Sequence, residues 1–274
     1  MNIDKSDYYP KSNLDDEDDE REEGLEIEAT AVIVTADGEE ADKEKEEAAP
    51  THPSGFGILE GPDPEDQTEA ERCVTGFAHF FSWALVPMFM PVYGIMLCFG
   101  LTVLNFTSFG TRVAFTFITA AFNVVAPMIV VVLLKRFGMI KDIGLNNREE
   151  RFIPYLVCIV CLVGTALFML FRGSPIWLVM FFFGGAAAGL VEVIINRWWK
   201  ISVHAAGIAG IVALLLYLLQ FEFTIPATKT WLLISIGASG LLGSSRIWLG
   251  RHTLWQVLAG YAVGFCAVYF LMFV

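Results

Sequence analysis

The sequence predicts an all-α protein: a polytopic membrane bundle of six to seven helical spans behind a disordered acidic N-terminal tail. Three observations predict it. Charge is segregated, with 25 of the 30 acids in residues 1–72 against six Lys or Arg, a balance of −19, while the remainder carries +7. Hydrophobicity is segregated the opposite way, since the chain is 55% hydrophobic with a mean hydropathy of +0.57 in spite of that tail. From about Phe77 to Val274 the apolar residues form runs long enough to cross a ~30 Å hydrocarbon core as helices.

Residues 1–75 form the expected tail. It contains the run Asp15-Asp16-Glu17-Asp18-Asp19-Glu20 and a Pro/Gly-rich section from Pro50 to Pro64. Such a segment cannot bury enough apolar surface to offset the entropy of ordering it. Its charge disfavours nucleic acid as a partner, and nothing in it names another. No charged-then-apolar leader opens the chain, so targeting is expected to rest on the first apolar segment.

A transmembrane domain is expected over 76–274, with spans near 79–104, 111–134, 152–171, 175–195, 201–220, 230–247 and 254–274. Pro87 and Pro91 should kink the first span or make it re-entrant, which is why the count is six or seven. Cys158 and Cys161 lie mid-span without a second pair or a histidine, so they read as packing residues rather than a metal or redox site. The Gly184–Gly189 run and Gly207–Gly210 read as close helix contacts. Trp198, Trp199, Trp248 and Trp255 read as headgroup-level anchors, and His79 as an interfacial residue.

Alternation of the spans places three polar loops on one face of the membrane. That face collects Lys135, Arg136, Lys141, Arg148, Arg151, Arg197, Lys200, Arg246 and Arg251, against Arg112, Arg172 and Lys229 on the other. The excess makes it the cytoplasmic face, in a multi-pass protein of the cell membrane with its tail on the same side.

The third of these loops carries the most chemistry. Six residues separate Arg246 from His252, about 120° of rotation on an unbroken helix, so one helix must end between them if both are to face one site. Gly250 permits the break, and Thr253-Leu254-Trp255-Gln256 has the form of a capping box opening the next helix. An arginine fork, a histidine and a helix start suit an oxyanion such as phosphate. In the second loop, Trp199-Lys200-Ile201-Ser202-Val203-His204, Ser202 is placed to cap the helix that carries His204.

These loops resemble the signature of the membrane type 2 phosphatidic acid phosphatase (PAP2) superfamily. Ser245-Arg246-x5-His252 is similar to its third motif and Ser202-Val203-His204 to its second, with Ile201 and Val203 replacing proline and glycine. Lys141-x6-Arg148 resembles the first, although the proline follows only at Pro154. Met90-Pro91-Val92-Tyr93-Gly94 and the Trp-Lys-Ile-Ser-x-His run are similar to a bacterial subgroup, and the likeness covers about residues 80–274.

The resemblance implies a phosphatase acting on a phospholipid or isoprenoid phosphate, without metal or other cofactor. It implies His252 as nucleophile, His204 as the acid for the leaving oxygen, and Arg246, Lys141 and Arg148 or Arg151 around the phosphoryl group, with Lys200 and Ser202 as further binding residues. Gln256 stands where the family carries the aspartate that orients the nucleophile. The orienting role therefore falls to Gln256 itself or to Glu192, the one acid within a span. The competing reading is a non-catalytic membrane protein, an anionic-lipid binder or transporter that keeps the pocket.

Overall fold

The computed structural model describes residues 67–140, 149–221 and 224–273. Most of the expected tail, together with Lys141 and Arg148, lies outside the described residues. Helix α1 (Glu69–Ala84) begins several residues before the expected boundary at 75. Its start is set by a capping box in which Thr68 and Glu71 exchange side-chain and backbone hydrogen bonds.

α1 is followed by a 3₁₀ turn (Pro87–Phe89) and α2 (Met90–Leu101), bent 41° from α1 at the proline-bearing break. The next span is α3 (Phe109–Ala120), a π turn (Ala121–Val125) and α4 (Ala126–Arg136) in one 28-residue rod. Pro127 explains the π turn: it has no N–H for the carbonyl of Asn123, and its ring would strike that carbonyl in an α-helix. Five further helices complete the bundle, beginning with α5 (Phe152–Phe171), α6 (Ile176–Asn196), α7 (Val203–Phe221) and α8 (Ala227–Trp248). The last is α9 (Leu254–Leu271). Among the described residues the β pairing is one isolated bridge, Thr102 with Thr224.

Five of these rods are long and apolar enough to cross a membrane, and the bent α1–α2 pair makes a sixth. The sixth expected span, near 230–247, is α8, which has the length without that apolarity, carrying Lys229, four serines and Arg246. It still runs antiparallel between its neighbours, packed on α7 and α1 and bonded to α9 through Tyr261, whose hydroxyl donates to the Ser239 carbonyl. The outside of the bundle is apolar, with Phe117, Val160, Leu233 and Phe270 exposed, as lipid-facing surfaces are. The core is built from α2, α6 and α7, where Ile95, Phe182, Leu214 and Leu218 are fully buried.

The contact that positions the site is between α7 and α9. Gly260 and Gly264, one α-helical turn apart, lie so close to α7 that a methyl group would overlap the Ser202 carbonyl at the first and the Ala206 backbone at the second. Small residues spaced this way let two membrane helices approach until their backbones touch. Gly184 of α6 meets the Val268 backbone of α9 in the same manner, and Gly207 packs on Pro87 and Met90. Both glycine runs singled out in the sequence are thus packing contacts.

Gly264→Val should force α7 from α9, since backbone atoms cannot turn aside. The expected cost is ~1–3 kcal/mol, a fall of roughly 3–10 °C in the unfolding midpoint in detergent. Gly237→Ala, where no heavy atom lies within 4 Å, should leave the midpoint unchanged.

Candidate active site

Loop residues 249–253 fold as the break between Arg246 and His252 requires. α8 ends at Trp248, and Gly250 takes φ +62°, a conformation open to glycine at little cost. The Gly250 N–H then donates to the Ile247 carbonyl (2.9 Å) and the Arg251 N–H to the Arg246 carbonyl (3.1 Å), the paired bonds of a Schellman cap. His252 N–H also donates to the Arg246 carbonyl, at 3.3 Å. The arginine that closes one helix is therefore tied to the histidine that precedes the next.

α9 opens with the expected capping box, Thr253 and Gln256 bonding each other's backbone N–H groups. Gln256 does a second thing. Its Oε1 lies 3.1 Å from His252 Nδ1 and accepts the Thr253 N–H at 3.2 Å. An atom that accepts from a backbone N–H is the amide oxygen, and an amide oxygen only accepts. His252 Nδ1 must therefore carry the proton, which leaves Nε2 as the ring's lone-pair nitrogen.

His252 is 3% exposed. Burial first, then the charges of Arg246 and Lys200, hold its pKa far below the usual histidine range, at about 2. Lys200, in the loop after α6, is pushed down by burial and by Arg151, Arg246 and Arg251. Lys200 therefore stands within electrostatic reach of all three arginines.

A cavity of about 590 Å³ collects the remaining parts. His204, His252, Arg246, Arg251, Arg151 and Glu192 all line it, contributed by α6, α7, α8, the 249–253 loop and the residue before α5. The imidazoles of His204 and His252 thus share one chamber with three arginines at one end of the bundle, with Glu192 the one acid in its lining among the described residues. The Arg246 Nε has no hydrogen-bond partner. The His204 ring bonds the Ser82 carbonyl of α1.

Not every expected residue reaches the chamber in its expected role. Ser202 is fully buried and does not cap α7: its Oγ has no partner, while its N–H donates to the Gln256 carbonyl (3.2 Å) and its carbonyl accepts from Ala206 (3.1 Å). The close approach of Gly260 traps the serine between two helices, away from the N–H groups it would have capped. Ser202 and Gln256 stand behind the cavity wall rather than in its lining. Glu192, 3% exposed, lies in electrostatic contact with Tyr155 and Cys158, and one of its oxygens is unpartnered. The His252 Nδ1 position, where an orienting group must sit, is taken by Gln256.

The sequence reading missed one wall. His79, Ser82 and Trp83 of α1 line the chamber at i, i+3 and i+4 spacing, which is one face of a helix, and Val86, just beyond its end, continues the wall. That periodicity was the available signal.

Because the folded ring resists protonation, the unfolded chain takes up the His252 proton first, below pH ~6.5. Stability should therefore fall on acidification below that pH, by up to ~1.4 kcal/mol per unit from this group. Denaturant titrations between about pH 4 and 8 should show wild type losing more than His252→Gln on the acid side; parallel curves would contradict the assignment.

Residues 195–274 match the family model described as PAP2 superfamily. Neither a curated protein nor a solved structure gives a match. The matched stretch contains Lys200, Ser202, His204, Arg246, His252 and Gln256, whereas Arg151, Glu192 and the α1 wall are added from outside it. The chain is a multi-pass helical protein, and its segment 195–274, which carries His204 and His252, is the part that is similar to the PAP2 superfamily.

Proposed function

We propose that the protein hydrolyses a phosphate ester or diphosphate of an amphiphile at the membrane surface, through a phosphohistidine and without a metal. The observation that supports it most is the bond from His252 Nδ1–H to the Gln256 amide oxygen, because it leaves Nε2 unprotonated among Arg151, Arg246 and Lys200. A neutral, oriented imidazole facing cations is what attack on a phosphoryl group needs.

In the proposed reaction His204 enters as the imidazolium, protonated as the anionic substrate binds; Nε2 of His252 bonds to phosphorus as the bond to the leaving oxygen breaks, and His204 passes its second proton to that oxygen. Water then attacks phosphorus, His204 takes its proton, and the P–N bond breaks with its electron pair returning to Nε2. Arg246, Arg151 and Arg251 hold the three equatorial oxygens, with Lys200 adding charge from behind and Lys141 and Arg148 the further binding candidates. The barrier falls chiefly through positioning and charge stabilisation. The amide of Gln256 orients the ring as a carboxylate would but offers the developing imidazolium no charge.

The second reading, an anionic-lipid binder or transporter with an idle pocket, is kept by that missing charge. Purified protein given phosphatidic acid or a polyprenyl diphosphate in the presence of a chelator separates the two. The proposal expects vanadate-sensitive phosphate release, abolished in His252→Ala and reduced ~10²–10³-fold in Arg246→Ala. It also expects Gln256→Leu to lose activity while Gln256→Asp retains it. Tight binding of both lipids with no release in wild type would support the second reading.

We place the chamber on the cytoplasmic side of the cell membrane, on the excess of Lys and Arg at that end. A single cysteine at Arg136, in a background without the native thiols, should then react with an impermeant maleimide only after the cells are opened. Labelling of intact cells would reverse the orientation.

A further inference from the structure

α1 ends beside His204, and the way it ends releases one carbonyl to the histidine. In a continuing helix the Trp83 carbonyl would accept the N–H of residue 87, and the Ser82 carbonyl that of Val86. Residue 87 is a proline and has no N–H, so the Val86 N–H turns to the Trp83 carbonyl (3.4 Å), while that of Leu85 stays with Phe81 (3.0 Å). The Ser82 carbonyl is thereby released, and it takes the ring of His204. A carbonyl only accepts, so the His204 nitrogen bonded to it carries a proton in both charge states of the ring. The other nitrogen is the one left to give a proton to a leaving oxygen and to take one back from water.

The run Met90–Gly94 seats this end of α1 against the bundle. Met90 and Pro87 press on Gly207, one turn beyond His204 on α7, where an added Cβ would stand 3.0 Å from the Met90 Cγ. Gly94 admits the Phe181 ring of α6, which an added Cβ would overlap. From the same turn of α2 the Tyr93 hydroxyl reaches back across the break and donates to the Ala84 carbonyl (2.8 Å), two residues from the carbonyl that holds the imidazole. Tyr93 is not part of the cavity lining and meets the site only through the end of α1.

We propose that the α1–α2 break is the orienting arm of His204 and that Tyr93 is its positioning residue. By holding the Ala84 carbonyl, Tyr93 keeps the Ser82 carbonyl on the imidazole and so fixes which ring nitrogen faces the leaving oxygen. The arrangement parallels the one at His252, where Gln256 caps α9 and holds the ring with the same oxygen. At both histidines the hydrogen bonds that finish a helix end also set an imidazole. The inference rests on the reading of His204 as the acid for the leaving group.

The test compares two substrates that differ in whether the leaving group needs a proton. Decyl phosphate must lose an alcohol and depends on the acid, whereas 4-nitrophenyl phosphate loses a stable phenolate and does not. Full-length protein is assayed for kcat/KM, which covers the steps up to departure of the leaving group and is blind to hydrolysis of the phosphohistidine. Tyr93→Phe removes one hydroxyl and keeps the ring. It should lower kcat/KM about tenfold for decyl phosphate and less than about twofold for 4-nitrophenyl phosphate, a part of what the acid itself contributes. Pro87→Ala restores a donor to the Trp83 carbonyl and lets Val86 return to Ser82, so it should show the same bias by a separate route. Equal losses on the two substrates in Tyr93→Phe, or no loss on either, would overturn the orienting role and leave the hydrolase reading standing. Equal losses in His204→Asn would overturn the acid on which the role depends, and no turnover of either substrate by wild type would overturn the phosphatase reading with it.

Discussion

The carbonyl of Arg246 accepts two backbone N–H groups, from Arg251 and His252, and the chemistry of the chamber follows from that small arrangement. A continuous helix would turn Arg246 and His252 apart; ending it with a left-handed glycine turns them together. The next helix is then opened by Thr253 and Gln256, and the oxygen of Gln256 that completes the cap also takes the His252 proton. Starting α9 and choosing the imidazole tautomer are one hydrogen-bond network. A side chain at position 256 that failed to cap would also release the ring.

The second requirement is that His204 be brought to this loop from another helix. Gly260 and Gly264 achieve it by letting α9 touch the backbone of α7 at Ser202 and Ala206, just beside His204. The same contact buries the Ser202 hydroxyl without a partner. Burying such a group costs about 1–3 kcal/mol, a cost that close helix packing has to offset. The cations add to this strain: Arg151 is 6% exposed, and Arg246, Arg251 and Lys200 crowd the same end with Glu192 as the acid in the lining. A cluster of that kind is poorly stabilised by itself and becomes favourable when an anion enters.

Much of this was legible in the chain. Apolar runs gave the spans, Pro87 the bend, Gly250 the helix break and Thr253 with Gln256 the restart, because each is a local rule about backbone hydrogen bonds. The gathering of Arg151, His204, Arg246 and His252 at one end followed from counting crossings. What was hidden depended on which surfaces meet. Ser202 had the right type and place for a cap, but the approach of Gly260 decided otherwise. The Gly260-x-x-x-Gly264 spacing was visible yet indistinguishable from other small residues in a membrane helix. His79 looked interfacial because nothing local says that α1 folds over the histidines, and Asn123 enters the cavity wall only through the π turn that the fold reveals.

The account stands on His252 as the atom that bonds phosphorus, so the most direct measurement is to trap that bond. Purified protein mixed with a phosphorus-32-labelled single-chain alkyl phosphate and quenched in alkali should yield an acid-labile, alkali-stable label. Peptide mapping should place it on His252, and it should be absent from His252→Ala. Turnover with no trapped label in wild type, or label on a residue other than His252, would contradict the account.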